Sequence, residues 1–192
     1  MDETTAPQSV EDAPAWTPVA GGFWLRGGAY MIDSLVVSIV GALVFFPAPA
    51  PVQTAGRILT AVAYFTFVPV LWNGRTLGKS AAGLAIVRED GGPLSHLTTV
   101  LRYVGYLLSL LPLGLGFFAA AFTKNKRALH DFVAGTRVLQ IKEIGLTRRI
   151  CVIALAILLP LVAVAGIAAG IAIPRYPHPQ ARAAAGAQEA RR

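Results

Sequence analysis

The stretch VLRYVGYLLSLLPLGLGFFAAAFT, residues 100–123, decides how this chain is folded. It carries one charge, Arg102, and the uncharged run of about 20 residues that follows is long enough to cross a bilayer as one helix. At its centre, however, stands Pro112-Leu113-Gly114-Leu115-Gly116, where a residue that cannot continue a helical ladder meets two that favour turns. If the chain turns there, each half is about 11 residues, roughly 16 Å of helix and half a bilayer. We read the block as a broken or re-entrant helical hairpin. A single crossing is the alternative, because proline is tolerated in transmembrane helices.

Three other apolar blocks surround it. GAYMIDSLVVSIVGALVFF, residues 28–46, follows Phe23, Trp24 and Arg26 and is stopped by PAPAP at 47–51. The second runs to Trp72, with Arg57 able to snorkel near its start and Pro69 near its end. The fourth, Ile150 to Ile173, has 24 residues without a charge. Composition agrees: 55% of the 192 residues are hydrophobic and 14% charged, mean hydropathy is +0.58, and soluble domains carry about 25% charged residues. The expected fold is therefore an all-α integral membrane protein. It has three spanning helices, a broken or re-entrant helical hairpin and a small cytoplasmic β element. We place helices at about 24–46, 53–72 and 100–123 within a membrane domain covering 23–142, and a further C-terminal transmembrane helix in 143–173.

The β element is expected from GLAIVREDGGPL at 83–94 and GTRVLQIKE at 135–143, whose strands at 83–88 and 136–141 are each too short to be stable alone. Their pairing bears on topology. If all four blocks cross, Lys and Arg divide 9 against 8 and no orientation follows; with the hairpin the division is 12 against 5. The positive-inside rule then puts the N-terminus and both polar loops in the cytoplasm. Residues 1–22 hold four acids and no Lys or Arg, unlike a signal peptide, and are read as a disordered acidic tail. Residues 174–192 are read as a second disordered tail. Net charge is +7, but the basic residues flank apolar blocks, which points to lipid head groups rather than nucleic acid. Cys151 is the only cysteine, so disulfides and Cys-based metal sites are excluded.

Few residues carry chemistry. Asp33 lies five residues inside the first block, where a carboxylate costs about 2.5–3.5 kcal/mol unless something offsets it. It is either an ion- or proton-coupled group or a structural contact with Arg102, Tyr30 or a neighbouring hydroxyl. Arg26 is two helical turns away on the same face. GRTLGKS at 74–80 resembles a phosphate loop, but Asn73 stands where a Walker motif needs glycine and no buried strand precedes it. Nucleotide binding is rejected in favour of a surface turn with Arg75 and Lys79 facing lipid phosphates. Asp131, beside His130, is either an N-cap or loop contact to the basic cluster Lys124, Lys126 and Arg127 or a carboxylate completing a site with Arg26 and Asp33. His96, His130 and His178 lack metal-ligand spacing, and no catalytic constellation is present, so no metal, no cofactor and no enzyme activity are expected. Gly166 and Gly170 have the spacing of a helix-packing face, but in a segment this rich in small residues chance is preferred as its cause.

Four stretches, WLRGGAYMID at 24–33, NGRTLGKSAAGLAIVREDGGPLS at 73–95, LRYVG at 101–105 and ALHDFVAGTRVL at 128–139, together resemble the RDD family of bacterial membrane proteins. The resemblance covers about residues 20–142. It implies that Arg26, Asp33 and Asp131 are the arginine and two aspartates for which the family is named. Arg102, His130, Gly78 and Lys79 are the possible supporting residues. It also implies a multi-pass protein of the bacterial inner membrane. The flanking basic residues imply contact with lipids, and three or four short helical elements enclose so little volume that a homo-oligomer or a membrane partner is expected. Two functions follow as expectations: a small transporter or ion- or proton-coupled carrier, which needs Asp33 to face a wet cavity, or a scaffold or accessory subunit docking through its cytoplasmic loops, which needs Asp33 sealed.

Overall fold

The computed structural model describes residues 18–111 and 115–172. The N-terminal residues before 18, the C-terminal tail after 172, and Pro112, Leu113 and Gly114 at the expected turn therefore lie outside the described residues. Among the described residues three helices are long and apolar enough to cross a membrane: α1 (Phe23–Phe45), α2 (Ala50–Leu71) and a third, C-terminal one. α1 ends against the proline run after Phe46, and α2 begins with Pro51 in its first turn, where the missing amide costs nothing. The chain packs these two helices side by side.

Their side-chain distribution is the reverse of a soluble helix pair. Leu25, Ala29, Asp33, Val37 and Gly41, one residue every four, form the buried stripe of α1. Leu35, Ile39, Leu43, Ile58, Leu59 and Phe67 point outward. Small and polar residues inside with large apolar ones outside is the arrangement that lipid permits and water penalises.

After α2 the backbone turns through Asn73 and Gly74, both at positive φ. A side chain at Gly74 would collide with the Ile86 carbonyl, so the turn requires glycine. A one-turn helix follows, α3 (Leu77–Ala81), capped by the Thr76 hydroxyl, and then strand β2 (Leu84–Arg88). Block three is divided into α4 (His96–Leu110) and α5 (Leu115–Phe122). The two pack on each other; a Cβ on Gly116 would lie 2.7 Å from that of Ser109. α4 has inverted polarity, with Thr99, Arg102 and Ser109 buried and Leu97, Val104 and Leu107 exposed. Another one-turn helix, α6 (Leu129–Val133), leads into β3 (Thr136–Gln140).

β2 and β3 pair antiparallel, with Ala85 opposite Leu139 and Val87 opposite Arg137. A strand not expected from composition, β1 (Val19–Ala20), pairs with the other edge of β3, giving the order β1-β3-β2. Residues 19 and 20 fall in the stretch read as a disordered tail; two residues carry no alternation, and it is the open edge of β3 that orders them. The inner face of the sheet, Leu84, Ile86 and Val138, packs with Leu25, Ala29, Ala82, Ile144 and Val152 into the core. α7 (Leu146–Ala172) supplies Val152 from its first turns. The first compact unit ends at Ile157, and a second, helical to Ala172, begins at Leu158. A Cβ added at Gly166 or Gly170 would meet no atom within 4 Å among the described residues.

Candidate functional site

Asp131 is the third residue of α6, and its backbone position is fixed by the short helix that the chain makes between α5 and β3. Its carboxylate accepts the Ala128 amide at 3.0 Å. Two arginines from different helices converge on it. Nη1 of Arg26, from α1, lies 2.5 Å from Oδ2, and Nη1 of Arg102, from α4, lies 2.5 Å from Oδ1. The rest of each guanidinium is tied to the sheet and its approach: Arg26 donates to the Gly21 and Val138 carbonyls, at 3.0 and 3.2 Å, and Arg102 donates to the Thr136 hydroxyl at 2.6 Å. Asp131 is 0% exposed. One carboxylate thus joins α1, α4, α6 and β3.

Burial alone raises the pKa of a carboxyl, but the charges of Arg102 and Arg26 and the Ala128 hydrogen bond outweigh it, and Asp131 is held well below its ordinary value. His130 lies beneath this cluster with its ring stacked on Tyr106 at 4.1 Å and beside Phe117. Burial, followed by the charge of Arg102, pushes its imidazole down to about 2, so it is neutral at physiological pH. Its Nδ1 has no hydrogen-bond partner among the described residues. At the rim Arg127 pairs with Glu89 at 2.8 Å and covers the Phe132 ring.

Asp33 has a separate set of partners. Tyr64 of α2 donates to Oδ1 at 2.8 Å, the Gly78 amide donates to Oδ1 at 2.7 Å, and the Thr76 hydroxyl donates to Oδ2 at 2.6 Å. Lys79 Nζ stands 3.8 Å from Oδ2. Asp33 is also 0% exposed. The close approach of α3 to α1 depends on Gly78, where a Cβ would overlap the Ala29 carbonyl and the Asp33 carboxyl. Burial pushes the Lys79 ammonium down to about 8, despite the opposing pull of Asp33.

Two expectations are corrected here. Arg102 pairs with Asp131 and not with Asp33, because α6, which carries Asp131, is laid against α4. Lys79 does not face lipid phosphates; it is 7% exposed and turned inward, because the one-turn helix that carries it docks on α1 beside Asp33. Arg75 of the same turn is exposed, as read. The three signature charges are not one site. Arg26 and Asp131 share one cluster, and Asp33, two turns further along α1, holds another. Tyr64, Thr76 and Thr136 escaped the sequence reading; only Thr76, three residues before Lys79 at a helix start, carries a local signal. Among the described residues no group of three His, Cys, Asp or Glu side chains is placed to hold a metal ion.

The sequence model of the RDD family matches residues 20–135. The uncharacterised protein YckC of Bacillus subtilis (strain 168) is 36% identical over 124 residues, covering 61% of this chain and 82% of that protein. The uncharacterised protein YxaI of the same organism is 32% identical over 144 residues, 61% of this chain and 95% of its own. Its uncharacterised membrane protein YteJ is 25% identical over 146 residues, 69% and 88% respectively. No solved structure matches the chain.

Proposed function

The chain belongs to the RDD family of membrane proteins, and from that premise we propose that it is a scaffold or accessory subunit of the bacterial inner membrane, without covalent chemistry of its own. In this reading α1, α2 and α7 span the bilayer and α4 with α5 forms a re-entrant hairpin. The N-terminus and the three-stranded sheet then lie in the cytoplasm, where the sheet and its loops dock a membrane partner or a second copy. The hairpin is supported by the pairing of β2 with β3, since strands on opposite sides of a bilayer do not meet.

One observation carries the reading. Both signature aspartates are fully buried and each is matched within the chain by cations and donors from other elements. A carrier carboxylate must trade its ligand with water, whereas a sealed and charge-paired one fixes helices. A buried ion pair is weak as a source of stability but strong as a source of geometry. Here the geometry is that of the sheet relative to α1 and α4.

Ion- or proton-coupled transport is the second reading. It is favoured by the Asp33–Lys79 pair, whose ammonium is held near 8 and so titrates close to neutrality. Carbodiimide-driven amidation of the inserted protein, mapped by mass spectrometry, separates the two. The exposed Asp90 and Glu143 should react while Asp33 and Asp131 do not. Amidation of Asp33 at the rate of Asp90 would overturn the scaffold reading.

A further inference from the structure

The carboxylates of the described ion pairs go to Lys79, to Arg26 and Arg102, to Arg127 and to Arg88. Among the described residues that leaves positive charge without a carboxylate partner where α2 meets the surface. Leu71, Trp72, Asn73, Arg75 and Ser80 line an open surface cavity of about 330 Å³ there. Its wall contains a guanidinium, an amide, a hydroxyl and an indole, and no carboxylate among the described residues. Arg75 is exposed. A second guanidinium is fastened behind Ser80: Arg148 of α7 donates Nε to the Ala81 carbonyl at 2.7 Å and Nη2 to the Ser80 carbonyl at 2.9 Å. Carbonyls satisfy its donors without cancelling its charge. The wall is also preformed, since the positive φ of Asn73 and Gly74 and the Arg75 amide bond to the Trp72 carbonyl at 3.1 Å set the turn.

We propose that this cavity binds the phosphate of an anionic phospholipid headgroup, with Arg75 and Arg148 as its charge partners. A phosphate diester matches the Arg75 guanidinium and the Ser80 hydroxyl of the wall, and Arg148 adds its charge from behind Ser80. The lipid is the source rather than free phosphate because the cavity adjoins the apolar outer face of α2: Leu71 and Phe67 are exposed, and Trp72 is half-exposed at the end of the helix, the position of an interfacial anchor. The inference rests on residence in a membrane and is independent of the scaffold reading.

The test uses the full chain in nanodiscs of phosphatidylcholine with a minority of phosphatidylglycerol, followed by native mass spectrometry of the lipid retained. Wild type should retain phosphatidylglycerol above its share in the disc. Arg75→Gln should reduce that enrichment about fivefold, the effect of one surface cation, and Arg148→Gln should do likewise. Arg137→Gln, exposed on β3, should leave it unchanged. Excess inorganic phosphate should not displace the lipid. Unaltered enrichment in Arg75→Gln, no enrichment in wild type, or displacement by inorganic phosphate each overturns the proposal. Arg148→Gln also loses contacts to α3, so Arg75→Gln, whose side chain is exposed, decides if Arg148→Gln does not fold. Loss of enrichment in a protein that still inserts strikes the lipid site alone, whereas failure to insert strikes the membrane reading.

Discussion

Replacing Asp131 by Asn should be the most damaging single change in the signature. Asp131 neutralises two guanidiniums at 2.5 Å each, so the cluster of Arg26, Arg102 and Asp131 carries a net charge of +1. The substitution keeps the shape and an acceptor for the Ala128 amide but raises the cluster to +2, with Arg102 buried and Arg26 nearly so. Breaking one buried pair costs about 3–5 kcal/mol, and stability itself is about 5–15 kcal/mol. At roughly 2–4 °C per kcal/mol for a chain of this size, the unfolding midpoint should fall by about 6–20 °C. Arg26→Gln and Arg102→Gln each leave the cluster neutral and should cost less. The double variant Arg102→Gln/Asp131→Asn returns the charge to +1 and should be less destabilised than Asp131→Asn alone. Thermal unfolding of the four variants in one detergent measures this as a double-mutant cycle. An Asp131→Asn midpoint within about 2 °C of wild type, or additive effects of the Arg102 and Asp131 changes, would refute the argument.

Three further outcomes follow from the same geometry. The Lys79 ammonium has a folded pKa near 8 against an ordinary 10.5, so between those values the unfolded chain binds a proton that the folded protein has released. Stability should therefore rise with pH from about 8 to 10.5, and a denaturant midpoint series should lose that rise in Lys79→Gln. Gly78→Ala places a methyl on the Ala29 carbonyl and the Asp33 carboxyl and should cost about 1–3 kcal/mol as overpacking; a midpoint equal to wild type means that α3 is not docked as described. In a Cys151→Ala background, cysteines at Asp90 and Arg137 should both be labelled by an impermeant maleimide from the cytoplasmic side only. Labelling from opposite sides contradicts the sheet.

The long helices were legible because lipid demands uninterrupted apolar length, which composition displays directly. The paired strands were legible because two short β-branched runs after glycines can be stable only together. β1 was not, since Val19 and Ala20 owe their conformation to the edge of β3 and to nothing in their own pattern. The same limit hid α3 and α6, each a single turn and so too short to show a helical period. It also misdirected the charges. Spacing places Arg26 and Asp33 on one face of α1, yet whether each meets α3 or α6 depends on how loops return from distant parts of the chain. Lys79 looked like a solvated loop residue because its partner lies 46 positions away in sequence. Arg102 was legible as a cation that an apolar block must neutralise, but the choice between two aspartates was not.

In the proposed scaffold reading the buried aspartates hold helices in place and do not conduct. Its most direct test is proton and cation flux in proteoliposomes containing the wild-type protein, beside Asp33→Asn and empty vesicles, with folding of both proteins checked by their unfolding transitions. The account predicts that wild type and Asp33→Asn are indistinguishable from empty vesicles. Flux above that background in wild type, abolished in a folded Asp33→Asn variant, would contradict it and establish Asp33 as part of a transport path.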